Sequence, residues 1–127
     1  MKTFSILVAE DERDVLDVIL RILELSGFEA VGVPNGLEAV NKAKEIIPDL
    51  ILLDVRMPAM TGYEACEMLK TDEATRHIPV VFLSAKGQEA EIEYGLKLGA
   101  AEYLVKPFEL TELVKVLKRV LEEHQDK

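Results

Sequence analysis

Four short apolar runs, each closed by one or two polar residues, constrain this chain more than any other feature. They are Ser5-Ile6-Leu7-Val8-Ala9 before Glu10-Asp11, Leu50-Ile51-Leu52-Leu53 before Asp54, Val80-Val81-Phe82-Leu83 before Ser84, and Tyr103-Leu104-Val105 before Lys106. Runs of this kind, separated by stretches of helical periodicity, read as parallel strands buried on both faces. The carboxyl ends of parallel strands face one edge of the sheet, and ligands bind there. Three carboxylates, a hydroxyl and an ammonium therefore converge on one crevice.

The stretches between the runs read as helices. Val15, Val18, Ile19, Ile22 and Leu23 repeat at helical spacing, and Gly27 supplies a stop. A further short strand spans Glu29 to Val33. Asn35 with Glu38 three residues on opens a second helix that ends before Pro48, and Thr61-Gly62-Tyr63-Glu64 fits a capping box for a third, through about Lys70. Thr71 to His77 reads as a polar loop, and Pro79 as the first residue of the next strand. A fourth helix is expected from about Gly87 to Leu98, with Gly99 as its stop. The last carries Leu110, Leu113, Val114, Leu117, Val120 and Leu121 on one stripe.

Five strands alternating with five helices predict a three-layer α/β fold, and right-handed crossovers favour the flavodoxin-like strand order 2-1-3-4-5. At 127 residues the chain reads as a single domain, 1–127, with a real core. Its apolar stretches are too short to span a bilayer, and the single cysteine, Cys66, forms no internal disulfide. Cytoplasm is the expected compartment. The net charge of −9 argues against direct contact with nucleic acid, which needs clustered Lys and Arg. Most of the acids, Glu89, Glu91, Glu93, Glu122 and Glu123 among them, read as solubilising surface. His77 and His124 read as plain surface histidines, and Cys66 as a helix-face filler. Tyr94 fits equally a partner-binding face or a scattered surface aromatic.

Glu10, Asp11 and Asp54 differ because each follows an apolar strand. Two unit charges ~4 Å apart cost about 4 kcal/mol at an effective dielectric near 20, so a proton or a cation must relieve them. Hard oxygen ligands completed by waters suit Mg²⁺. Asp11 could instead cap the first helix, but no helix begins directly after Asp54. A carboxylate beside Mg²⁺ can attack phosphorus to give an aspartyl phosphate. Lys106 as a point charge and Ser84 as a donor would then serve the phosphoryl oxygens.

The whole chain resembles the receiver domain of two-component response regulators of the chemotaxis type. The resemblance rests on Ile6-Leu7-Val8-Ala9-Glu10-Asp11-Glu12, on Pro48-Asp49 through Asp54-Val55-Arg56-Met57-Pro58, on Ser84-Ala85 and on Lys106-Pro107-Phe108. It implies that Asp54 accepts a phosphoryl group from a histidine kinase or phosphotransfer protein. It implies Mg²⁺ on Asp11, Asp54 and the Arg56 carbonyl, with Glu10 acting through water. Ser84 and Lys106 would contact the phosphoryl group, Tyr103 would be a rotameric switch coupled to Ser84, and Lys106-Pro107 would be cis. Such a domain catalyses only its own phosphorylation and dephosphorylation, and signals to a downstream protein through the face of its fourth helix, fifth strand and fifth helix. Glu10 stands where the family more often has Asp, and Thr61 replaces a common Asp, though both are good N-caps.

Rival readings are weaker. A phosphohydrolase using an aspartyl phosphate usually carries an acid two residues after the nucleophile, and Arg56 occupies that position. A flavin carrier would meet repulsion between the acids and the flavin phosphate. Only Glu122 to Lys127 follow the last apolar residue of the final helix. The expectation is therefore a stand-alone receiver, or a fragment of a longer transcription regulator or hybrid kinase.

Overall fold

Each apolar run forms a strand, and the amphipathic stretches between them form helices. The computed structural model describes residues 3–125. Residues 1–2 and 126–127, which the single-domain reading includes, lie outside the described residues. In chain order the elements are β1 (Ser5–Ala9), α1 (Arg13–Leu25), β2 (Glu29–Val33), α2 (Gly36–Ile46) and β3 (Leu50–Asp54). They continue with α3 (Gly62–Thr71), β4 (Val80–Ser84), α4 (Glu89–Lys97), β5 (Glu102–Val105) and α5 (Leu110–Gln125). All neighbouring strands pair parallel, in the order 2-1-3-4-5.

Alternation along the strands divides the interior into two cores. Leu7, Ile51, Leu53, Phe82 and Tyr103 pack against Val40 of α2, Cys66 of α3 and Ile92 of α4. Ile6, Val8, Leu52, Leu83 and Leu104 pack against Ile19 of α1 and Leu113 and Leu117 of α5. The central strands β3 and β4 are buried along their whole length, which explains their uninterrupted apolar sequence. Each fully buried Leu or Ile contributes about 1.5–3 kcal/mol relative to an exposed one.

The local signals behave as the chemistry of their residues demands. Asn35 Oδ1 accepts from the Glu38 amide at 2.9 Å and opens α2. At α3, Thr61 Oγ1 accepts from Glu64 N, and Glu64 Oε1 accepts from Thr61 N, completing a capping box. Gly27 and Gly99 have φ of 95° and 104°, the left-handed conformation that stops a helix cheaply. Ile47 takes the same role after α2 with φ 45°, a strained position for a β-branched residue.

Three expectations are corrected. Val18 is 51% exposed, and Leu16 takes its place in the buried stripe of α1. Pro79 precedes β4 instead of opening it: it has no amide to donate, and its carbonyl accepts from Ile51 N at 3.0 Å. The segment after Lys70 is not a wholly solvated loop. Thr71 completes α3, and Thr75 is fully buried with its hydroxyl donated to the Leu69 carbonyl at 2.8 Å.

Candidate functional site

β1, β3, β4 and β5 are consecutive neighbours in the sheet, so their carboxyl ends bring the four polar positions together. Glu10, Asp54 and Ser84 are buried and Asp11 is exposed. One carboxylate oxygen from each of Glu10, Asp11 and Asp54 falls within 4.8 Å of the others. Asp11 does not cap α1. The cap position is Glu12, which makes no side-chain cap bond, and its amide donates instead to Glu10 Oε2 at 3.1 Å.

Lys106 reaches into this cluster from the end of β5. Its ammonium donates to Asp54 Oδ2 at 2.8 Å and to Glu10 Oε1 at 3.0 Å. The other oxygen of Asp54 accepts from the Arg56 amide at 3.0 Å. The Lys106–Pro107 peptide is cis. Burial, with the adjacent Asp54 carboxyl adding to it, pushes Glu10 up to about 7, against the pull of the Glu12 amide and Lys106. Burial works against the charge on Lys106, but Asp54 and Glu10 outweigh it and hold the ammonium above the usual lysine range. A protonated Glu10 or a bound cation are thus alternative ways of relieving the same crowding.

Ser84 Oγ accepts from the Lys86 amide at 3.0 Å, and the Ser84 carbonyl accepts from Lys106 N at 2.7 Å. The serine thereby joins the loop after β4 to the start of the Lys106 segment. Arg56 and Lys86 are exposed and line, with Asp11, Thr61 and Tyr63, an open pocket of about 480 Å³. The Lys86 ammonium turns toward Glu91 at 3.8 Å.

Tyr103 is buried, its ring tilted against Phe82 with centroids 5.9 Å apart. Its hydroxyl lies 3.0 Å from the Lys86 carbonyl and 3.0 Å from the Tyr63 hydroxyl. Tyr63 in turn donates to Glu91 Oε2 at 2.8 Å and meets Phe82 and Tyr94 edge-to-face, with centroids 5.2 and 4.9 Å away. Glu91 is therefore part of a buried-side network, which corrects its reading as plain solubilising surface. Tyr94 is neither isolated nor scattered, since its ring meets that of Tyr63 edge-to-face.

Sequence reasoning attached no role beyond the helix start to Tyr63, and none to Gly95. One signal was available: Gly95 sits inside α4, where glycine costs roughly 0.8–1 kcal/mol relative to alanine and implies a packing demand. His77 is exposed, and His124 Nδ1 lies 2.9 Å from the Val120 carbonyl; both line a cavity with Asp49 and Pro79 at the opposite edge of the sheet. Cys66 is fully buried, and burial pushes its thiol up to about 11, so it packs and does not react. No helix among the described residues is long and apolar enough to cross a membrane.

Strand order, layer arrangement and the acidic carboxyl edge define a flavodoxin-like α/β domain built around a cation-ready site. The chain belongs to the response regulator receiver domain family, which its residues 6–118 match. It is 42% identical over 116 residues to the phosphate regulon transcriptional regulatory protein PhoB of Klebsiella pneumoniae, covering 91% of this chain and 51% of that protein. The chain thus spans about half the length of the curated relatives it matches. Among solved structures it is similar to a response regulator from Chloroflexus aurantiacus, with 30% identity, a TM-score of 0.90, and coverage of 95% and 99% of the two chains. It is also similar to the receiver domain of the sensor histidine kinase PA1611 from Pseudomonas aeruginosa, solved with a magnesium ion coordinated in its active-site cleft. There the identity is 32%, the TM-score 0.87, and the coverage 95% and 99%. Receiver domains are signalling proteins of two-component systems and not enzymes acting on an external substrate.

Proposed function

We propose that this receiver accepts a phosphoryl group on Asp54 from a histidine kinase or phosphotransfer protein and acts as a two-state switch. The observation that carries the reading is the Asp54 carboxylate at the end of β3, beside Glu10 and Asp11 and bonded to Lys106. In the transfer, an Asp54 oxygen forms a bond to phosphorus as the P–N bond to the donor imidazole breaks. The imidazole leaves with the bonding pair and takes up a proton. Such a transfer depends on positioning and on neutralising the equatorial oxygens. Lys106, already within bonding distance of Asp54, supplies one fixed positive charge, and Ser84 supplies a hydroxyl.

The donor set fits Mg²⁺: three carboxylates gathered within 4.8 Å, one of them exposed to an open pocket. Asp11, Asp54 and the Arg56 carbonyl would hold the ion, with Glu10 reaching it through water. When bound, the ion neutralises charge on the transferring phosphoryl group. Phosphorylation draws Ser84 and the loop after β4 toward Asp54, and Tyr103 responds. The α4/β5/α5 face then changes its affinity for a downstream protein, a population shift between two states. Nucleic-acid binding is not assigned to this domain, given its net charge of −9.

Incubation with acetyl phosphate and Mg²⁺ tests the reading. One base-labile phosphoryl group is expected, absent from Asp54→Ala. Label mapped to Glu10, Asp11 or a histidine overturns it.

A further inference from the structure

We propose that Tyr63, its hydroxyl oriented by Glu91, is a latch that holds the Tyr103 ring inward before any phosphoryl group arrives. The inference deepens the switch reading of Tyr103 and rests on it. Its basis is a line of four oxygens: the Lys86 carbonyl, the Tyr103 hydroxyl, the Tyr63 hydroxyl and Glu91 Oε2, separated by 3.0, 3.0 and 2.8 Å. Three links join them, but the two hydroxyls bring only two protons when Glu91 is charged. One link is always short of a proton.

Three arrangements satisfy that count, and a charged Glu91 that holds the Tyr63 proton at 2.8 Å leaves two of them. When Tyr103 donates to the Lys86 carbonyl, it holds the loop after β4. When it donates to Tyr63, whose own proton is committed to Glu91, it is held from the α3 side and the Lys86 carbonyl is released. The ring stays inward in both, but its grip on the loop differs. Burial, with the bonds to Tyr103 and Glu91 adding to it, raises Tyr63 above the ordinary tyrosine range, so its proton is retained.

The surroundings are built for an inward ring. A Cβ on Gly95 would stand 2.9 Å from Tyr103 Cδ2 and 3.1 Å from both Tyr103 Cε2 and Phe82 Cδ2, so the missing side chain is the space the ring occupies. Tyr63 itself is pinned. It is the second residue of α3, directly behind the Thr61 capping box, and its ring is wedged edge-on between Phe82 and Tyr94. A fixed hydroxyl on a fixed ring can hold a mobile one. The bonds of its hydroxyl go to Tyr103 and Glu91, and its hold on the switch runs through Tyr103, so it is a positioning residue.

The test is the inward population of Tyr103 in unphosphorylated, ¹³C-tyrosine-labelled protein, read from nuclear Overhauser contacts between its ring and the Gly95 α-protons. In Tyr63→Phe the inward-to-outward ratio falls about twofold, because the single Tyr103 proton is left with one acceptor instead of two. In Glu91→Ala the Tyr63 proton is free to turn to Tyr103, so the ratio rises instead, and Glu91→Gln, which still accepts from Tyr63, returns it toward the wild-type value. An unchanged ratio in Tyr63→Phe overturns the latch. If that variant does not fold, an unchanged ratio in Glu91→Ala overturns it instead. Treatment of the same samples with acetyl phosphate and Mg²⁺ separates the two readings. Failure to label Asp54 in the wild type sinks the proposed function, whereas the ring ratio alone decides the latch.

Discussion

The Lys106 ammonium lies 2.8 Å from Asp54 Oδ2, inside the group of carboxylates that a divalent ion would share. Lysine and metal therefore compete for the Asp54 carboxylate and repel each other across it. In Lys106→Met that competition is gone, and Mg²⁺ binding measured by calorimetry tightens by about 3–10-fold, the equivalent of roughly 1 kcal/mol of relieved repulsion. Asp11→Ala acts in the opposite direction and removes most of the rise in melting temperature that millimolar Mg²⁺ produces. Weaker binding in Lys106→Met shows that the lysine assists the metal and does not compete with it.

Glu10 gives the metal-free protein an unusual pH dependence. Its folded value is raised from an ordinary 4.5 to about 7, so between those limits the folded state holds more protons than the unfolded chain. The contribution of Glu10 to stability is full below about pH 4.5, declines as pH rises toward 7, and is level above. This is the reverse of a salt-bridged acid. Urea unfolding in EDTA at pH 8 finds Glu10→Gln more stable than the wild type by on the order of 1–3 kcal/mol, with the difference closing as pH falls to 5. A gap of the same size at both pH values removes Glu10 as its cause.

Arg56 and Lys86 flank the pocket beside Asp11. Neither accepts a proton readily at neutral pH, so neither activates the water that hydrolyses an acyl phosphate. Slow self-dephosphorylation follows, with faster loss in Arg56→Asn combined with Lys86→Glu. The Lys86 ammonium already faces Glu91 at 3.8 Å, so Arg56 carries the larger share of the effect. First-order decay after removal of the donor measures it. A double variant that decays no faster than the wild type overturns the guarding role.

Gly62 has no room for a side chain. A Cβ there would stand 2.2 Å from the Asp54 carbonyl oxygen, a backbone atom that cannot swing aside. Gly62→Ala destabilises by about 1–3 kcal/mol, read from the urea midpoint. The same clash pushes on the residue proposed to take the phosphoryl group, so the rate of labelling by acetyl phosphate falls with it. Normal stability and labelling together would mean that α3 withdraws freely from β3.

Strands, their order and the meeting of Glu10, Asp11, Asp54, Ser84 and Lys106 were readable in the sequence because short apolar runs bounded by polar residues carry both register and edge. The phase of α1 was not. Val15, Val18 and Ile22 compete with Leu16 for one stripe, and packing against Gly32 settles it: a Cβ there would come within 3.0 Å of Leu16 and Leu20. The Tyr63–Tyr103 contact joins residues 40 positions apart, and Tyr63–Glu91 joins residues 28 apart. Periodicity holds no information on which hydroxyl meets which across such distances. Gly95 was the one visible trace of that network.

Tyr103 and Leu104 are adjacent on β5 yet belong to opposite cores, one shared with α2, α3 and α4 and the other with α1 and α5. The sheet acts as a bulkhead between them. The tyrosine ring swings within the first compartment, whereas Ile19 of α1 packs in the second. Features displayed by α1 can therefore drift through substitution without retuning the ring, and the ring's setting can be altered without remaking them. One domain thus holds two surfaces open to separate histories of change.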